Sequence, residues 1–374
     1  MGGIYIHIPF CKTKCPYCDF YSVVSSGKES IVEPIQRELV LQKRFFGPQK
    51  TETIYFGGGT PSLLSTEEVE KILTTVDESY RLISNPEVTI ECNPDDLSPE
   101  YLNDLHRLGI NRISLGLQSF HPHELKLLGR RHGVEQNYKA LEESLKIFDN
   151  VSVDLIYGLP DSTLASWKFS LEKAFHYPIH HLSAYHLTIE PGTPFHHQEN
   201  KGKLKQNEEQ VSKQQFLFLL EKIRKQGFLP YELSNFAPRK YFSQHNLAYW
   251  QNVPYLGVGP SAHSYDTHVR QWNVSDLDTY MNALDNNTLP ARQEVLKPKD
   301  KLNEYIITGL RTMWGISRDK AKEMMPPPEY DRFQKDLEKF LDNNWMEETD
   351  SSCRLTDEGK FMSDTVMREL LWTD

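Results

Sequence analysis

Three of the five cysteines in this 374-residue chain fall in one short run, Cys11-Lys12-Thr13-Lys14-Cys15-Pro16-Tyr17-Cys18. This C-x3-C-x2-C spacing follows a short apolar stretch, Ile4-Tyr5-Ile6-His7-Ile8. Thiolates so close in sequence can converge on one metal centre, and soft sulfur ligands select zinc, copper(I) or an iron–sulfur cluster. A four-iron cluster has four irons to ligate. Three cysteines leave one iron open, and an open position is where a ligand or a reaction goes. The competing reading is a Cys3His zinc site completed by His7. An odd number of cysteines argues against a disulfide framework. Cys92 and Cys353 stand apart and read as lone packed or surface thiols.

The elements that must carry this run alternate. Short β-branched or aromatic stretches at 4–8, 53–57, 87–92, 112–118, 151–157 and 181–188 read as strands. Apolar residues at helical spacing predict helices over 29–46, 66–82, 99–108, 122–128, 134–149 and 162–176, the last capped by Asp161 or Ser162. Repeated β-then-α units argue for parallel strands with right-handed crossovers, in a doubly wound sheet or a barrel. Polar residues gather at the strand ends, where parallel folds place their sites. Gly57-Gly58-Gly59-Thr60-Pro61 follows the second strand, and its glycines let backbone groups approach a ligand closely. Glu91 ends the third strand, Gln118 ends the fourth, Asp154 lies in the fifth, and Arg130 can reach back over the same rim.

Beyond the strands, 189–206 reads as a polar loop containing His196 and His197, and 207–226 as a long helix. Short irregular aromatic elements occupy 228–272, and 286–300 reads as a linker. The tail, 301–374, has the order of a winged-helix unit. With 11 Lys/Arg against 16 Asp/Glu, it has the wrong sign for phosphate contact. The net charge of −10 likewise argues against a nucleic-acid partner. Hydrophobic and charged fractions of 38% and 25% are those of an ordinary globular protein. No run approaches the roughly 18 apolar residues of a membrane span. The absence of a leader pattern, with reduced cysteines, leads us to expect a cytoplasmic protein.

Together, Tyr5-Ile6-His7-Ile8-Pro9-Phe10-Cys11, Cys15-Pro16-Tyr17-Cys18, Gly57-Gly58-Gly59-Thr60-Pro61, Leu117-Gln118-Ser119-Phe120 and Asp154-Leu155-Ile156-Tyr157-Gly158-Leu159-Pro160 resemble the oxygen-independent coproporphyrinogen III oxidase group of the radical S-adenosylmethionine superfamily. The resemblance implies an α/β fold, an incomplete (β/α)6 barrel with a small C-terminal winged-helix-like α+β domain. It divides the chain into a core barrel over 1–190, a barrel extension over 191–290 and the C-terminal domain over 301–374.

It further implies a 4Fe-4S cluster on Cys11, Cys15 and Cys18, with S-adenosyl-L-methionine at the open iron. Tyr5 and Tyr17 would lie beside the cluster, and Gly58, Gly59 and Thr60 would hold the methionine end. Glu91, Gln118, Arg130 and Asp154 would bind the remainder. Two departures point to the HemW branch of haem chaperones. Phe20 stands where the oxidases carry a fourth cysteine, and the chain begins almost at the first strand where they carry an extension. His245-Asn246-Leu247-Ala248-Tyr249-Trp250 matches that branch's H-N-x-x-Y-W motif, which makes His245 a candidate haem ligand. The branch implies haem transfer to acceptors, respiratory ones among them, with peripheral membrane contact through those acceptors, and a cluster-linked homodimer. The alternative is an enzyme, the oxygen-independent coproporphyrinogen III oxidase itself, which leaves open whether the chain is catalytic.

Overall fold

The structure is a computed structural model that describes residues 2–24 and 30–373. Residue 29, where the first expected helix begins, and the outermost residues 1 and 374 of the expected domains lie outside the described residues.

Six parallel strands form the centre: β1 (Gly2–Ile8), β2 (Thr51–Gly58), β3 (Leu82–Cys92), β4 (Arg112–Gln118), β5 (Val151–Tyr157) and β6 (His181–His186). They pair in chain order, each next neighbour parallel. The crossovers run through α1 (Val32–Leu41), α2 (Thr66–Ser79), α3 (Pro99–Arg107), α4 (Pro122–Leu127), α5 (Val134–Ile147) and α6 (Leu164–Ala174). Along each strand apolar and polar residues alternate. Ile4, Ile6 and Ile8, Ile54 and Phe56, Ile113 and Leu115, and Val151 and Val153 are buried in the main core with the helices. The intervening residues bond to one another instead. Tyr55 meets Glu91, Ser114 meets Asp154, Ser152 meets His181, and Ser183 meets Asn235. A parallel strand covered on both faces by apolar layers reads as a continuous hydrophobic run. Here one face packs on helices and the other looks into a polar interior.

Several stretches are more ordered than their composition suggests. The expected loop at 189–206 contains α7 (Pro194–Asn200), because Thr193 caps it by accepting from the His196 amide at 3.2 Å and Pro194 is pre-set for the first helical position. After α8 (Glu209–Lys225), the aromatic stretch at 228–272 forms β7 (Leu229–Pro230), β8 (Asn235–Ala237), α9 (Gln244–Trp250), β9 (Tyr255–Val258), β10 (His263–Tyr265) and β11 (Val269–Asn273). The expected linker at 286–300 follows α10 (Leu277–Asp285) and contains the edge strand β12 (Ala291–Val295). These strands extend one sheet in the order β12-β11-β10-β9-β1-β2-β3-β4-β5-β6-β8-β7, with β9 parallel to β1. The first helix ends at Leu41, short of the expected 46, and hydrogen-bonded turns follow. The helix expected from 162 starts at Leu164 with Thr163 as its cap, because Asp161 adopts a left-handed turn conformation, φ 60°.

The C-terminal part has its own core, built on Leu302, Ile306, Leu337 and Phe340. Its order is α11 (Pro298–Leu310), α12 (Arg318–Met324), α13 (Pro327–Asp342), the antiparallel hairpin β13 (Met346–Glu348) and β14 (Cys353–Leu355), then α14 (Asp357–Phe361) and α15 (Ser363–Leu370). This is the winged-helix-like order. Its contacts with the barrel include the bond from Asn252 Nδ2 to Thr308 Oγ1 at 3.2 Å and the pairing of Arg311 with buried Glu232.

One buried carboxylate ties the extension to the barrel. Glu38 of α1 is inaccessible to solvent and accepts from Gln42 Nε2 at 2.9 Å, Asn273 Nδ2 at 2.7 Å, the Gly259 amide at 2.9 Å and the Tyr280 hydroxyl at 2.5 Å. Burial pushes its carboxyl up to about 7 against those donors. Glu38→Ala removes the acceptor of all four donors, of which only Asn273 keeps another, the Gly259 carbonyl at 2.8 Å. It should cost about 3 kcal/mol, the scale of a broken buried polar network, read as a lowered midpoint in urea unfolding. Glu33→Ala, on the exposed face of the same helix, should change it little.

Candidate functional site

The C-terminal ends of the parallel strands open onto a cavity of about 570 Å³. Its walls include Cys11, Cys15, Tyr17 and Cys18, then Gly58, Gly59 and Thr60, then Glu91, Gln118, Arg130 and Asp154. Eleven of the residues expected from the sequence thus share one space. Tyr5, also expected beside the cluster, does not line it, and neither does His245, the expected haem ligand.

The three thiols sit on the loop after β1, each partly buried and none in a disulfide. Phe10–Cys11 pairs with Val23–Val24 to close the loop, and the Cys18 amide donates to the Cys15 carbonyl at 3.1 Å. The loop is braced from three sides. Thr60 Oγ1 donates to Cys11 Sγ at 3.5 Å, and Arg130 Nη1 to Cys15 Sγ at 3.5 Å. The Phe195 amide of α7 donates to the Pro16 carbonyl at 3.0 Å, and its ring packs on Tyr17. Arg130 is held in turn by Asn93 Oδ1 and by the Gly116 carbonyl at 3.1 Å. Asn93 and Phe195 were missed from sequence. Only the Asn-Pro after β3 and the Thr-Pro before α7 could have marked them.

His7 does not complete a zinc site. Its Nε2 donates to the Tyr21 carbonyl at 3.0 Å, so its Nδ1 accepts from the Tyr5 hydroxyl at 3.2 Å. Burial pulls its imidazole down to about 4, and it stays neutral. Among the described residues no group of three or more His, Cys, Asp or Glu side chains is arranged to hold a single metal ion. Three unbridged thiols on one cavity, two of them accepting a side-chain hydrogen bond, suit a multi-iron cluster better than a single tetrahedral ion.

The remaining wall is polar and buried. Glu91 accepts from the Tyr55 hydroxyl at 2.8 Å, and burial pushes its carboxyl up to about 7. Asp154 accepts from Ser114 Oγ at 3.1 Å and is likewise raised by burial. The positive charge of Arg112, itself 1% exposed, opposes the burial effect at both. Gln118 holds a φ of 66°, outside the strand region, a strained geometry of the kind that concentrates at ligand clamps. Gly59 is required by space: a Cβ there would come within 2.6 Å of the Phe10 carbonyl oxygen, next to Cys11.

His245, expected as a haem ligand, is 1% exposed under the polar interior. Its Nδ1 hydrogen-bonds Thr53 Oγ1 at 2.7 Å and its Nε2 the Tyr249 hydroxyl at 2.9 Å. Its ring stacks on Tyr55 with centroids 5.0 Å apart, and on Tyr5 at 6.3 Å. Burial pulls its imidazole down to about 3. Both ring nitrogens are committed, so this imidazole has no lone pair to offer an iron. The motif's Trp250 instead receives the Arg311 guanidinium of the C-terminal part over its ring at 4.7 Å.

Gly59→Ala should therefore displace the cysteine loop. Its expected signature is a 10- to 100-fold loss of iron affinity in a chelator competition, roughly the cost of disturbing groups that orient metal ligands. Gly133→Ala, where a Cβ meets nothing within 4 Å, should leave iron retention intact.

Comparison with known proteins agrees with this geometry. Residues 5–174 match the model of the Radical SAM superfamily, and residues 296–362 match the HemN C-terminal domain. The Escherichia coli coproporphyrinogen III oxidase HemN superposes with a TM-score of 0.84 over 98% of this chain and 89% of its own, at 21% identity, a likeness of fold. The heme chaperone HemW of Lactococcus lactis is 32% identical over 100% of this chain and 98% of its own length. That of Bacillus subtilis is 32% identical over 99% of both. Radical SAM membership implies a 4Fe-4S cluster and S-adenosyl-L-methionine, and the three-thiol cavity fits them. The chain belongs to the HemW family of the radical SAM superfamily.

Proposed function

We propose that this chain is a haem chaperone, which holds haem and passes it to acceptor proteins. The observation that carries the reading is Phe20. It projects 71% exposed beside the cysteine loop, at the position where the decarboxylating oxidases carry a fourth cysteine. An exposed phenylalanine cannot replace a thiol in radical chemistry, but it can offer apolar surface to a flat macrocycle. Full-length similarity to proteins named heme chaperones supports the same reading.

In this reading Cys11, Cys15 and Cys18 carry a 4Fe-4S cluster, and S-adenosyl-L-methionine completes the fourth iron. When bound, the cluster supplies a one-electron donor next to that ligand. Gly58, Gly59 and Thr60 receive the methionine end, and Tyr17 flanks it. Asp154 and Glu91 accept hydrogen bonds from the sugar, and Arg130 and Gln118 fix the remainder. Tyr5 and His245 act by position, keeping Tyr55 and Glu91 in place. Residues 1–190 form the cofactor barrel, 191–290 its extension and 301–374 an appended domain. Among the described residues no helix is long and apolar enough to cross a membrane. A cytoplasmic chaperone would meet membrane-bound respiratory acceptors by peripheral contact, and pairing of two chains through their clusters fits the exposed cysteine loop.

The second reading, oxygen-independent coproporphyrinogen III oxidase, draws on the HemN-like fold and an equally suitable cofactor cavity. Anaerobic, cluster-reconstituted protein distinguishes the two. We expect haem to be retained through gel filtration and coproporphyrinogen III to be returned unchanged in the presence of S-adenosyl-L-methionine and a reductant. Protoporphyrinogen formed with release of carbon dioxide would reverse the assignment.

A further inference from the structure

A second cavity, of about 370 Å³, shares Asp19 and Phe20, just after Cys18, with the first. It is lined by aromatic side chains, Tyr5, Phe20, Tyr21, Tyr249 and Tyr255, and by His263. Phe20 and Tyr21 follow Cys18 directly, so the loop that carries the thiols also forms one wall. Tyr249 and Tyr255 meet edge to face at 4.4 Å and form the other. Phe20 itself is 71% exposed. The tyrosines of the lining are partly buried, and Phe20 is its one exposed large apolar side chain.

The two imidazoles of this groove differ. His7 is locked between Tyr5 and Tyr21. His263 is exposed on β10, and among the described residues neither of its ring nitrogens has a hydrogen-bond partner. Its ring stacks on Trp272 with centroids 6.4 Å apart. The part of the ring covered from water, and then the Arg270 charge, lowers its proton affinity, which favours the neutral imidazole. The strand register continues the row, with His263 opposite Trp272 and Trp272 opposite the exposed Arg292. Two strand spacings, about 9.6 Å between backbones, separate the strand of His263 from that of Arg292, which lies beyond the cavity on the same sheet face. The same face also carries Tyr265, Arg270 and Glu294, and Arg270 is paired with Glu304.

An imidazole for iron, aromatic walls for a conjugated face and a cation for a carboxylate edge are the three features a haem needs. We propose that haem docks in this groove with His263 as its axial ligand. The inference rests on the haem-chaperone reading and specifies its site. The groove is open to solvent, so one face of the macrocycle stays available to an acceptor, as delivery requires.

The test uses the full chain with its cluster reconstituted, titrated anaerobically with ferric haem. Binding is followed by absorbance, and axial ligation by magnetic circular dichroism of the haem. Wild type should show a nitrogen-ligated haem. His263→Ala should lose that signature and about tenfold in affinity, with added imidazole restoring the spectrum and cluster iron unchanged. Phe20→Ala should weaken binding but keep the ligation signature. A His263→Ala variant with an unaltered spectrum and affinity would overturn this site while leaving the chaperone reading standing. Failure of wild type to bind haem would overturn both.

Discussion

Three thiols on one loop can ligate only three irons of a four-iron cluster, and the rim of this barrel gathers those thiols, the glycines after β2 and the polar strand ends on one cavity. The loop after β1 must present Cys11, Cys15 and Cys18 to one point, so it is braced by Thr60, Arg130 and the backbone of α7 rather than left to its own eight residues. The glycines after β2 must admit a ligand beside it, and Gly59 has no room for a side chain. The carboxylates of β3 and β5 lie partly buried across the same cavity, where burial raises both and strengthens their hydrogen bonds to Tyr55 and Ser114.

That arrangement sets the character of the barrel interior. Glu91 leans on Tyr55, Tyr55 stacks on His245, and His245 is fixed by Thr53 and Tyr249. Tyr249 in turn forms a wall of the second, aromatic cavity, and Trp250 of the same helix meets Arg311 of the C-terminal part. One seven-residue helix, α9, therefore backs the first cavity through Tyr55, lines the second and meets the appended domain. Its histidine is a joint in a packed polar network.

Much of this was legible in the sequence, and the reason is periodic. The strand positions could be read because apolar and polar residues alternate along them, and the site residues because they recur at strand ends. Cys11, Gly58, Glu91, Gln118 and Asp154 share a cavity as that rule requires. What was not legible depended on distant partners. Nothing near His245 reveals that Thr53 lies beside it, 192 residues away, so an imidazole in an aromatic motif read as a ligand when it is fully engaged. The edge strand Ala291–Val295 lies between turn residues and is mostly exposed, so its composition imitates a linker. Helix α7 is short and polar, and only its Thr-Pro start distinguishes it from loop. Arg112 lies in a recognised strand, but its burial, with its charge acting on Glu91 and Asp154 of neighbouring strands, depends on partners distant in sequence.

The central claim is that three thiolates leave one iron to be ligated by S-adenosyl-L-methionine. Electron–nuclear double resonance on the reduced cluster, with the amino nitrogen of that ligand labelled with 15N, tests it directly. The account predicts a strong 15N coupling that appears on addition of the labelled ligand. A reduced cluster whose spectrum shows no such coupling at saturating ligand would contradict it.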